Sequence, residues 1–510
     1  MKKNKLFKIL FYVYFFFCFL LYNSINWAIK LYGIITLDEI FFYLSSSIKG
    51  TNQAFIIKYI NSCVFKSLYF FTILVLFVRL IKNIFNTKRI EVIIRAFNHK
   101  IKFIINSNVL YKIIKIFLLI MSVIVIILSL QKLDFYNYLK NVNTASKFIE
   151  EKYVDPKKIK ISFPDKKKNL IYIYVESLES SYFDTNNGGL KDKNLLEPLL
   201  QLTNENINFS DTDKFGGWKN VYGTSWTTAG IVATTSGLPL KISAYGSMNE
   251  SLKDLMGGTY SLGNILSNQG YTQKFMIGSD KEFGNRRIYF EKHGNYDIFD
   301  KFTSKDIGLL PWDYDVWWGF EDSKLFEFAK TEIIRLSQED KPFNFTMLTA
   351  NTHFPDGLTE DSCEIKFANA YSNSIYCSAT QINEFVRWIQ EQDFYKDTVI
   401  VITGDHLTMQ ADFFSDDDIL NRSVYNLFIN TDKNNYNYKN RIFTAVDIFP
   451  TVISALGGEF EGNRLGLGTN LFSTEKTLPE ELGLYKFNDE ISYKSTFYNK
   501  YLLTKNKGKN

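Results

Sequence analysis

The amino-terminal part of the chain carries three apolar runs, each close to the length of a membrane-spanning helix. They cover residues 6–23, 64–81 and 113–130. About 20 predominantly apolar residues are needed for a helix to cross the hydrocarbon core of a bilayer. The pattern therefore predicts a transmembrane region over residues 1–135 with about three spans, and a fourth span within residues 25–44 is the alternative.

The charges around these runs predict the topology. The first run follows a cluster of lysines and lacks a small-residue cleavage site, which favours an uncleaved membrane helix over a secretory signal. The connection of residues 82–112 is rich in lysine and arginine and contains one acid, Glu91. Because basic loops tend to remain in the cytoplasm, we expect this connection and the amino terminus on the cytoplasmic side. Everything after the third run should then lie outside the cytoplasm.

Further stretches of the membrane region are interpreted from their apolar residues. Residues 40–43 and residues 56–60 form runs too short to span a bilayer and are expected to pack at the membrane interface. The spacing within residues 82–112 suits a helix that lies on anionic lipid, and a solvated surface is the alternative.

After about residue 165 the pattern changes to short apolar strands that alternate with helical stretches. The candidate strands are residues 170–175, 274–277, 343–348 and 399–403. Alternation of this kind predicts an α/β domain with a mainly parallel sheet covered by helices on both faces. We expect this domain over residues 166–475, after a linker at 136–165 and before a peripheral basic tail at 476–510.

Charge and cysteine content narrow the classes of function. The formal net charge is +5 over 510 residues, and the basic residues cluster near the amino terminus, which argues against a nucleic-acid-binding protein. Of the four cysteines, Cys18 and Cys63 lie in or beside apolar segments, while Cys363 and Cys377 lie in a polar region. The second pair is the disulfide candidate. Such a bond would require an oxidising compartment, in agreement with the predicted topology.

Two of the candidate strands end in residues with metal-binding chemistry. Glu176 directly follows the first candidate strand. Asp405 and His406 come just after the last one. The carboxyl ends of parallel strands meet at one edge of a sheet, where carboxylate oxygens and an imidazole nitrogen can share one cation. The alternative is that Asp405 caps a helix and His406 is an ordinary polar residue.

Four further residues have side chains suited to phosphate chemistry. Thr227 and Thr228 precede an apolar stretch of small residues, so a hydroxyl would lie near the positive end of a helix, where anions bind. The alternative role for either threonine is an ordinary N-cap. His353 follows the strand at residues 343–348. Arg286 offers a guanidinium suited to bidentate phosphate binding, although a lone arginine is more often a surface charge.

Six segments of the chain follow one another in the order found in a known family. They read VESLES, TTAGIVA, FGNR, NTHFPDG, DTVIVITGDH and DIFPTVISALG. The set resembles the extracytoplasmic domain of the phosphoglycerol transferases, which belong to the sulfatase and alkaline phosphatase superfamily and include the lipoteichoic acid synthases. Within that family the chain is most similar to the transferases that decorate osmoregulated periplasmic glucans. The resemblance covers about residues 170–471 and implies a sulfatase-like fold for the α/β domain.

The resemblance implies a metal centre and a nucleophile. One divalent ion is expected, with Mn²⁺ preferred and Mg²⁺ or Zn²⁺ as alternatives. Its implied ligands are Glu176, Thr227, Asp405 and His406. Thr227 would also be the nucleophile, with Thr228 as the fallback.

The resemblance also implies contacts to the substrate. His353 matches a histidine that contacts the substrate phosphate and its head group, and it would protonate the leaving oxygen or steady the phosphate. Arg286 matches an arginine that binds the phosphate. The lipoteichoic acid synthases carry a tryptophan two residues before that arginine. Gly284 stands there in this chain, which favours the glucan-type branch.

The implied function is transfer of phosphoglycerol from phosphatidylglycerol to a hydroxyl of an envelope glycan, through a covalent intermediate on Thr227. The expected location is the bacterial inner membrane, multi-pass, with the catalytic domain in the periplasm or outside the cell. A phosphoethanolamine transferase using phosphatidylethanolamine is the first alternative. A sulfatase or phosphodiesterase is the second, although the chain lacks the Cys-x-Pro-x-Arg motif of true sulfatases. A non-enzymatic binding module is the third.

Overall fold

The structure of the chain consists of two compact units. This computed structural model describes residues 2–33, 35–46, 49–51, 53–84, 89–96, 99–242, 253–415, 421–432 and 438–504. One unit comprises Met1–Thr36 and Asn52–Tyr138, and the other comprises Leu37–Thr51 and Leu139–Asn510. The short connection between the first two apolar runs therefore belongs to the larger unit.

Three long helices within the described residues are apolar enough to cross a membrane. The helices are Lys2–Tyr32, then Gln53–Tyr59 continuing through a π-helical turn at Ile60–Phe65 into Lys66–Ile84, and finally Ser107–Lys132. Each overlaps one predicted run. A break at Gly33, with φ of 68°, separates the first helix from the helix Leu37–Ser45. The alternative fourth span within residues 25–44 is therefore wrong, because no single helix covers that range.

The basic connection between the second and third long helices is a β-hairpin in its described part. Arg89–Ala96 pairs antiparallel with His99–Asn106. The helix considered for residues 82–112 is therefore wrong over these two strands. Both strands are rich in isoleucine, and β-branched side chains favour extended backbone over helix.

A seven-stranded sheet lies at the centre of the larger unit. Its strands are β1 (Asn169–Val175), β2 (Gly217–Trp218), β3 (Thr272–Ile277), β4 (Asp297–Phe299), β5 (Phe343–Leu348), β6 (Thr398–Gly404) and β7 (Val424–Ile429). The spatial order is β2-β7-β6-β1-β5-β3-β4. Strand β7 is antiparallel to both of its neighbours, and the remaining pairs are parallel. The prediction of a mainly parallel α/β sheet is confirmed.

Helices cover both faces of this sheet, and β1 shows how the sequence builds two cores. Tyr172 and Tyr174 enter one buried core, while Ile171 and Ile173 enter the other. Successive side chains of a strand point to opposite faces, so a strand buried on both faces has a continuous apolar sequence. The first core includes the helices Thr227–Ser236 and Ala445–Ala455, and the second includes Asp322–Ser337 and Ala370–Gln390.

Shorter elements complete the part of the chain after the third long helix. Among the described residues, its other α-helices are Phe135–Asn143, Phe148–Lys152, Leu200–Glu205, Leu262–Asn268, Arg286–Lys292, Lys301–Asp306, Leu478–Leu482 and Leu484–Ser492. Two small antiparallel pairs join Ile161–Ser162 to Glu459–Phe460 and Arg464–Leu465 to Gly468–Thr469.

The segment after the predicted domain is part of the domain's core. Phe487, Ile491 and Tyr498 are fully buried. Phe148, from the predicted linker, packs on Phe487 with ring centroids 6.1 Å apart. The prediction of a peripheral tail over residues 476–510 is therefore wrong up to residue 504, and its last six positions lie outside the described residues. The segment contains both lysines and apolar residues at helical spacing. Its positive charge therefore suggested an exposed tail, although its apolar residues pack into the core.

The structure joins Cys363 and Cys377, which are 14 positions apart in sequence, in a disulfide with their Cα atoms 5.5 Å apart. The bond ties a loop after β5 to the helix Ala370–Gln390. Cys18 and Cys63 are buried and free.

We expect the double variant Cys363→Ser/Cys377→Ser to unfold at a lower temperature than the wild type in the absence of reductant. A disulfide that closes a loop of this size stabilises a protein by about 3 kcal/mol in the chain-entropy model. Thermal unfolding of the full chain in detergent, followed by tryptophan fluorescence, measures the difference, which should vanish in reductant. A Cys18→Ser control should not respond to reductant differently from the wild type. An equal loss with and without reductant would contradict the bond.

Candidate active site

The sheet edge where β1 and β6 end brings the predicted metal ligands together. The two strands are parallel neighbours, with Val175 opposite Gly404. Glu176 and Asp405 are the next residues on each strand, so both carboxylates emerge at the same edge. The chain then turns at Ser177, whose φ of 55° lies in the left-handed region.

Glu176, Asp405 and His406 form a compact buried cluster. One potential ligand atom from each residue lies within 4.8 Å of the others. His406 Nε2 is 3.5 Å from Glu176 Oε1 and 3.4 Å from Asp405 Oδ2. All three side chains are buried. Two carboxylates at this separation repel each other more strongly than they would in water, so the cluster favours a positive charge in its centre.

Hydrogen bonds aim the ligand atoms into the cluster. Asp405 Oδ1 accepts the backbone N–H groups of Ser177 and His406 at 2.8 and 2.9 Å. Asp405 Oδ2 has no hydrogen-bond partner among the described residues. His406 Nδ1 donates to the Leu407 carbonyl at 2.7 Å, which leaves the lone pair of Nε2 facing the carboxylates. A divalent cation would supply the partner that Oδ2 needs, so these side chains fit a metal ion.

The pKa values of the cluster agree with this fit. Burial raises the pKa of Asp405, and the nearby carboxylate of Glu176 raises it further. Burial alone would lower the pKa of His406, but Asp405 and Glu176 outweigh it and raise that pKa. Both shifts show that the cluster attracts positive charge. Carboxylate and imidazole ligands suit Mn²⁺, Mg²⁺ and Zn²⁺.

Thr227 is the first residue of the helix Thr227–Ser236 and lies beside the cluster. Its Oγ1 is 3.4 Å from His406 Nε2. The N-cap is Trp226, with extended backbone, so neither Thr227 nor Thr228 has the N-cap role considered for them. The side chain of Thr227 is half-buried, whereas the three cluster residues are buried. Thr227 is therefore the least buried of these four residues.

Thr228 makes a different contact from Thr227. Its hydroxyl donates to the Gly284 carbonyl at 2.7 Å, in a buried position. Gly230, one turn into the helix, allows the helix to approach the backbone of Asp405. A Cβ at Gly230 would lie 1.8 Å from the carbonyl oxygen of Asp405. The geometry therefore favours Thr227 over Thr228 as the hydroxyl of the site.

Arg286 is a buried cation in reach of the cluster's charges. Its Nη2 donates to Ser279 Oγ at 3.2 Å and to the Asp280 carbonyl at 3.0 Å. Its Nε has no partner among the described residues. Burial lowers the pKa of Arg286 to about 10, so the guanidinium is charged at neutral pH. A fixed guanidinium with an unused N–H suits a phosphate oxygen.

His353 is half-buried and neutral. Desolvation by the surrounding protein lowers the pKa of His353 to about 4. Its Nδ1 donates to the Phe354 carbonyl at 2.7 Å, so Nε2 carries a lone pair. The ring of Trp318 packs against the imidazole with centroids 4.6 Å apart. His353 is thus equipped to accept a hydrogen bond or a proton.

Asp322 supports this site and was missed in the sequence. Its carboxylate accepts the backbone N–H groups of Ala350 and Asn351 at 2.8 and 3.0 Å, which holds the loop that carries His353. Burial raises the pKa of Asp322 to about 7. An acid in the first turn of a helix is common for electrostatic reasons alone, so the sequence around Asp322 gives no distinctive signal.

Comparisons with known proteins agree with this architecture. Phosphoglycerol transferase I of Escherichia coli (strain SMS-3-5 / SECEC) is 32% identical over 359 residues, covering 66% of this chain and 45% of that protein. The chain thus spans less than half the length of this curated relative. Among solved structures, the integral membrane lipooligosaccharide phosphoethanolamine transferase A of Neisseria meningitidis aligns over 88% of this chain and 84% of its own, with 11% identity and a TM-score of 0.51.

A second solved structure and a family model complete the comparison. The lipoteichoic acid synthase LtaP of Listeria monocytogenes aligns over 64% of this chain and 81% of its own, with 17% identity and a TM-score of 0.49. The family model described as Sulfatase matches residues 168–458. That range is more than half of the chain and contains the whole sheet with the buried cluster of Glu176, Asp405 and His406 at its edge, and the chain therefore belongs to the sulfatase family.

Proposed function

We propose that the chain is a membrane-anchored, metal-dependent transferase that moves phosphoglycerol from phosphatidylglycerol to a hydroxyl of an envelope glycan. The observation that carries the proposal is the 3.4 Å approach of Thr227 Oγ1 to His406 Nε2, beside two buried carboxylates. A hydroxyl nucleophile next to a metal site is a recurrent arrangement for phosphoryl transfer. The name of the curated relative supports phosphoglycerol as the transferred group.

The chain's own residues would hold the metal and the phosphate. The proposed metal ligands are Glu176, Thr227, Asp405 and His406. A bound divalent ion lowers the pKa of a coordinated hydroxyl and neutralises charge on phosphoryl oxygens. The helix that begins at Thr227 directs its positive end towards the same place, where an anion is stabilised. Arg286 would bind a second phosphate oxygen through its unused Nε–H.

Transfer would take two displacements at phosphorus. Thr227 Oγ1 attacks the phosphodiester while the bond from phosphorus to the diacylglycerol oxygen breaks, which leaves phosphoglycerol on Thr227. A glycan hydroxyl then attacks the same phosphorus and frees the threonine. In each displacement the proton of the attacking hydroxyl would pass to the leaving oxygen, which is the diacylglycerol oxygen in the first step and Thr227 Oγ1 in the second. His353 is neutral with a lone pair on Nε2, so it would relay this proton.

The membrane helices suit a lipid donor. Three candidate spans precede the sulfatase-matched residues 168–458, and tethering raises the effective concentration of an enzyme at the bilayer surface. The Cys363–Cys377 bond is of a kind that persists in oxidising compartments. Both features support a bacterial inner membrane location with the catalytic unit outside the cytoplasm.

Removal of the Thr227 hydroxyl should abolish the reaction. We expect Thr227→Ala to lower diacylglycerol release from phosphatidylglycerol by at least roughly 10³-fold, the scale seen when a catalytic nucleophile is lost. The assay uses the full chain in mixed micelles with Mn²⁺ and either phosphatidylglycerol or phosphatidylethanolamine. The control, Thr228→Ser, keeps a hydroxyl for the Gly284 carbonyl and should retain most activity. Release near the wild-type rate from Thr227→Ala would overturn the mechanism, and release from phosphatidylethanolamine alone would overturn the donor.

The carboxylate of Asp405 should be needed for metal binding. A ligand that binds only the folded state stabilises it by about 2.7 kcal/mol at 100 times its Kd, so Mn²⁺ should raise the unfolding temperature of the metal-stripped wild type. We expect Asp405→Asn to lose this rise. Asp322→Asn is the matched control, because Asp322 is also a buried acid but lies outside the cluster. It should be less stable yet keep the Mn²⁺-dependent rise. The same rise in both variants would exclude Asp405 as a ligand.

A further inference from the structure

We propose that the described residues of the segment Leu37–Thr51 form a wall of the active site and that Glu39 and Tyr43 contact the glycerol head group of the donor. The segment joins the first candidate span to the second in the sequence and lies outside the sulfatase match at residues 168–458. The inference rests on the proposed function. It adds to that function by assigning head-group recognition to a part of the chain outside the family match.

The described part of this segment is packed into the catalytic unit. Its helix Leu37–Ser45 buries Asp38, Glu39 and Phe42. The ring of Phe42 is fully buried and lies 5.8 Å from the ring of Trp226, the residue before Thr227. The expectation that residues 40–43 pack at a membrane interface is therefore wrong for Phe42, which belongs to a protein core.

Polar contacts fasten both ends of the helix. Near its start, the hydroxyl of Tyr222 donates to the Asp38 carboxylate. Near its end, Asn285 Nδ2 donates to Ser46 Oγ at 3.0 Å. Asn285 directly precedes Arg286, so the segment touches the loop that positions the phosphate-binding cation. Contacts at both ends indicate a fixed wall.

The turn after the helix also fits closely against that loop. Gly50 has φ of 82°, and a Cβ there would lie 2.8 Å from Asp280 Cβ and 3.0 Å from Phe283 Cβ. Any side chain at Gly50 would therefore push the segment away from the loop. The absence of a side chain at this position keeps the two in contact.

An aromatic row runs from the segment to His353. The rings of Tyr43 and Phe283 are stacked with centroids 5.8 Å apart. Phe283 lies 5.3 Å from Trp318, which lies 4.6 Å from His353. The Arg286 guanidinium sits over Phe283, 5.3 Å from the ring centroid. Aromatic faces suit the C–H groups of a polyol, and the phenol of Tyr43 adds a hydrogen-bonding hydroxyl.

Glu39 adds a carboxylate to this wall. It is 4% exposed and lies three and four residues before Phe42 and Tyr43 in the helix Leu37–Ser45, so the three side chains share one face of that helix. A carboxylate accepts hydrogen bonds from two neighbouring hydroxyls at once, which matches the vicinal diol of a glycerol head group. A head group on a phosphate held by Thr227 and Arg286 would lie against Glu39 and Tyr43.

The test compares three probes on the full chain in detergent with saturating Mn²⁺. The probes are glycerol phosphate, inorganic phosphate and phosphoethanolamine, and their dissociation constants are measured by titration calorimetry. We expect Glu39→Gln and Tyr43→Phe each to weaken glycerol phosphate about tenfold, the effect of one lost hydrogen bond. Inorganic phosphate binding and the Mn²⁺-dependent rise in unfolding temperature should not change. The control Leu44→Ala, on the exposed side of the same helix at 77% exposure, should leave all three constants unchanged.

Three outcomes would overturn the inference. Equal weakening of glycerol phosphate and inorganic phosphate would mean that the segment only supports Arg286. Unchanged affinity for glycerol phosphate in both variants would remove Glu39 and Tyr43 from the head-group site. Tighter binding of phosphoethanolamine than of glycerol phosphate by the wild type would show that this segment selects an ammonium head group instead of glycerol. The proposed function fails by a different result, which is no diacylglycerol release from phosphatidylglycerol by the wild type.

Discussion

The repulsion between two buried carboxylates, Glu176 and Asp405, is the constraint on which the site depends. Removing an ionised group from water costs several kcal/mol unless the charge is compensated, and burial raises the pKa of Asp405 accordingly. The parallel register of β1 and β6 places both groups at one edge. The register of the sheet thus places two negative charges where a bound cation would stabilise both. His406 and Thr227 lie beside these carboxylates, where they could bind the same cation.

Around this fixed edge, separate connections supply the other parts of the site. The helix Thr227–Ser236 brings the hydroxyl, the loop after β3 brings Arg286, and the loop after β5 brings His353. Loops at the carboxyl ends of parallel strands can change without disturbing the sheet. Head-group recognition by the segment Leu37–Thr51 would add one more variable connection to this fixed sheet. Selectivity for the donor could then change without any change in the residues proposed to bind the metal.

The strands that end at the candidate metal site could be predicted because β1 and β6 are continuous apolar runs, and the acids that follow them mark the sheet edge. The two-residue strand Gly217–Trp218 has no periodicity to detect. Phe42 was misplaced because a short apolar stretch between membrane spans has the same pattern whether it meets lipid or protein. The surroundings of Glu39 and Asp322 arise from contacts between segments distant in sequence, which local patterns do not encode.

Mass spectrometry of the purified full chain, incubated with Mn²⁺ and phosphatidylglycerol in the absence of an acceptor, tests the central claim most directly. The account expects a phosphoglyceryl adduct on the peptide that contains Thr227, with fragmentation assigning it to that residue and not to Thr228. The adduct should disappear when an acceptor glycan is added. Diacylglycerol release without any adduct on the chain would show that the group passes directly to its acceptor or to water, and would contradict a covalent threonine intermediate.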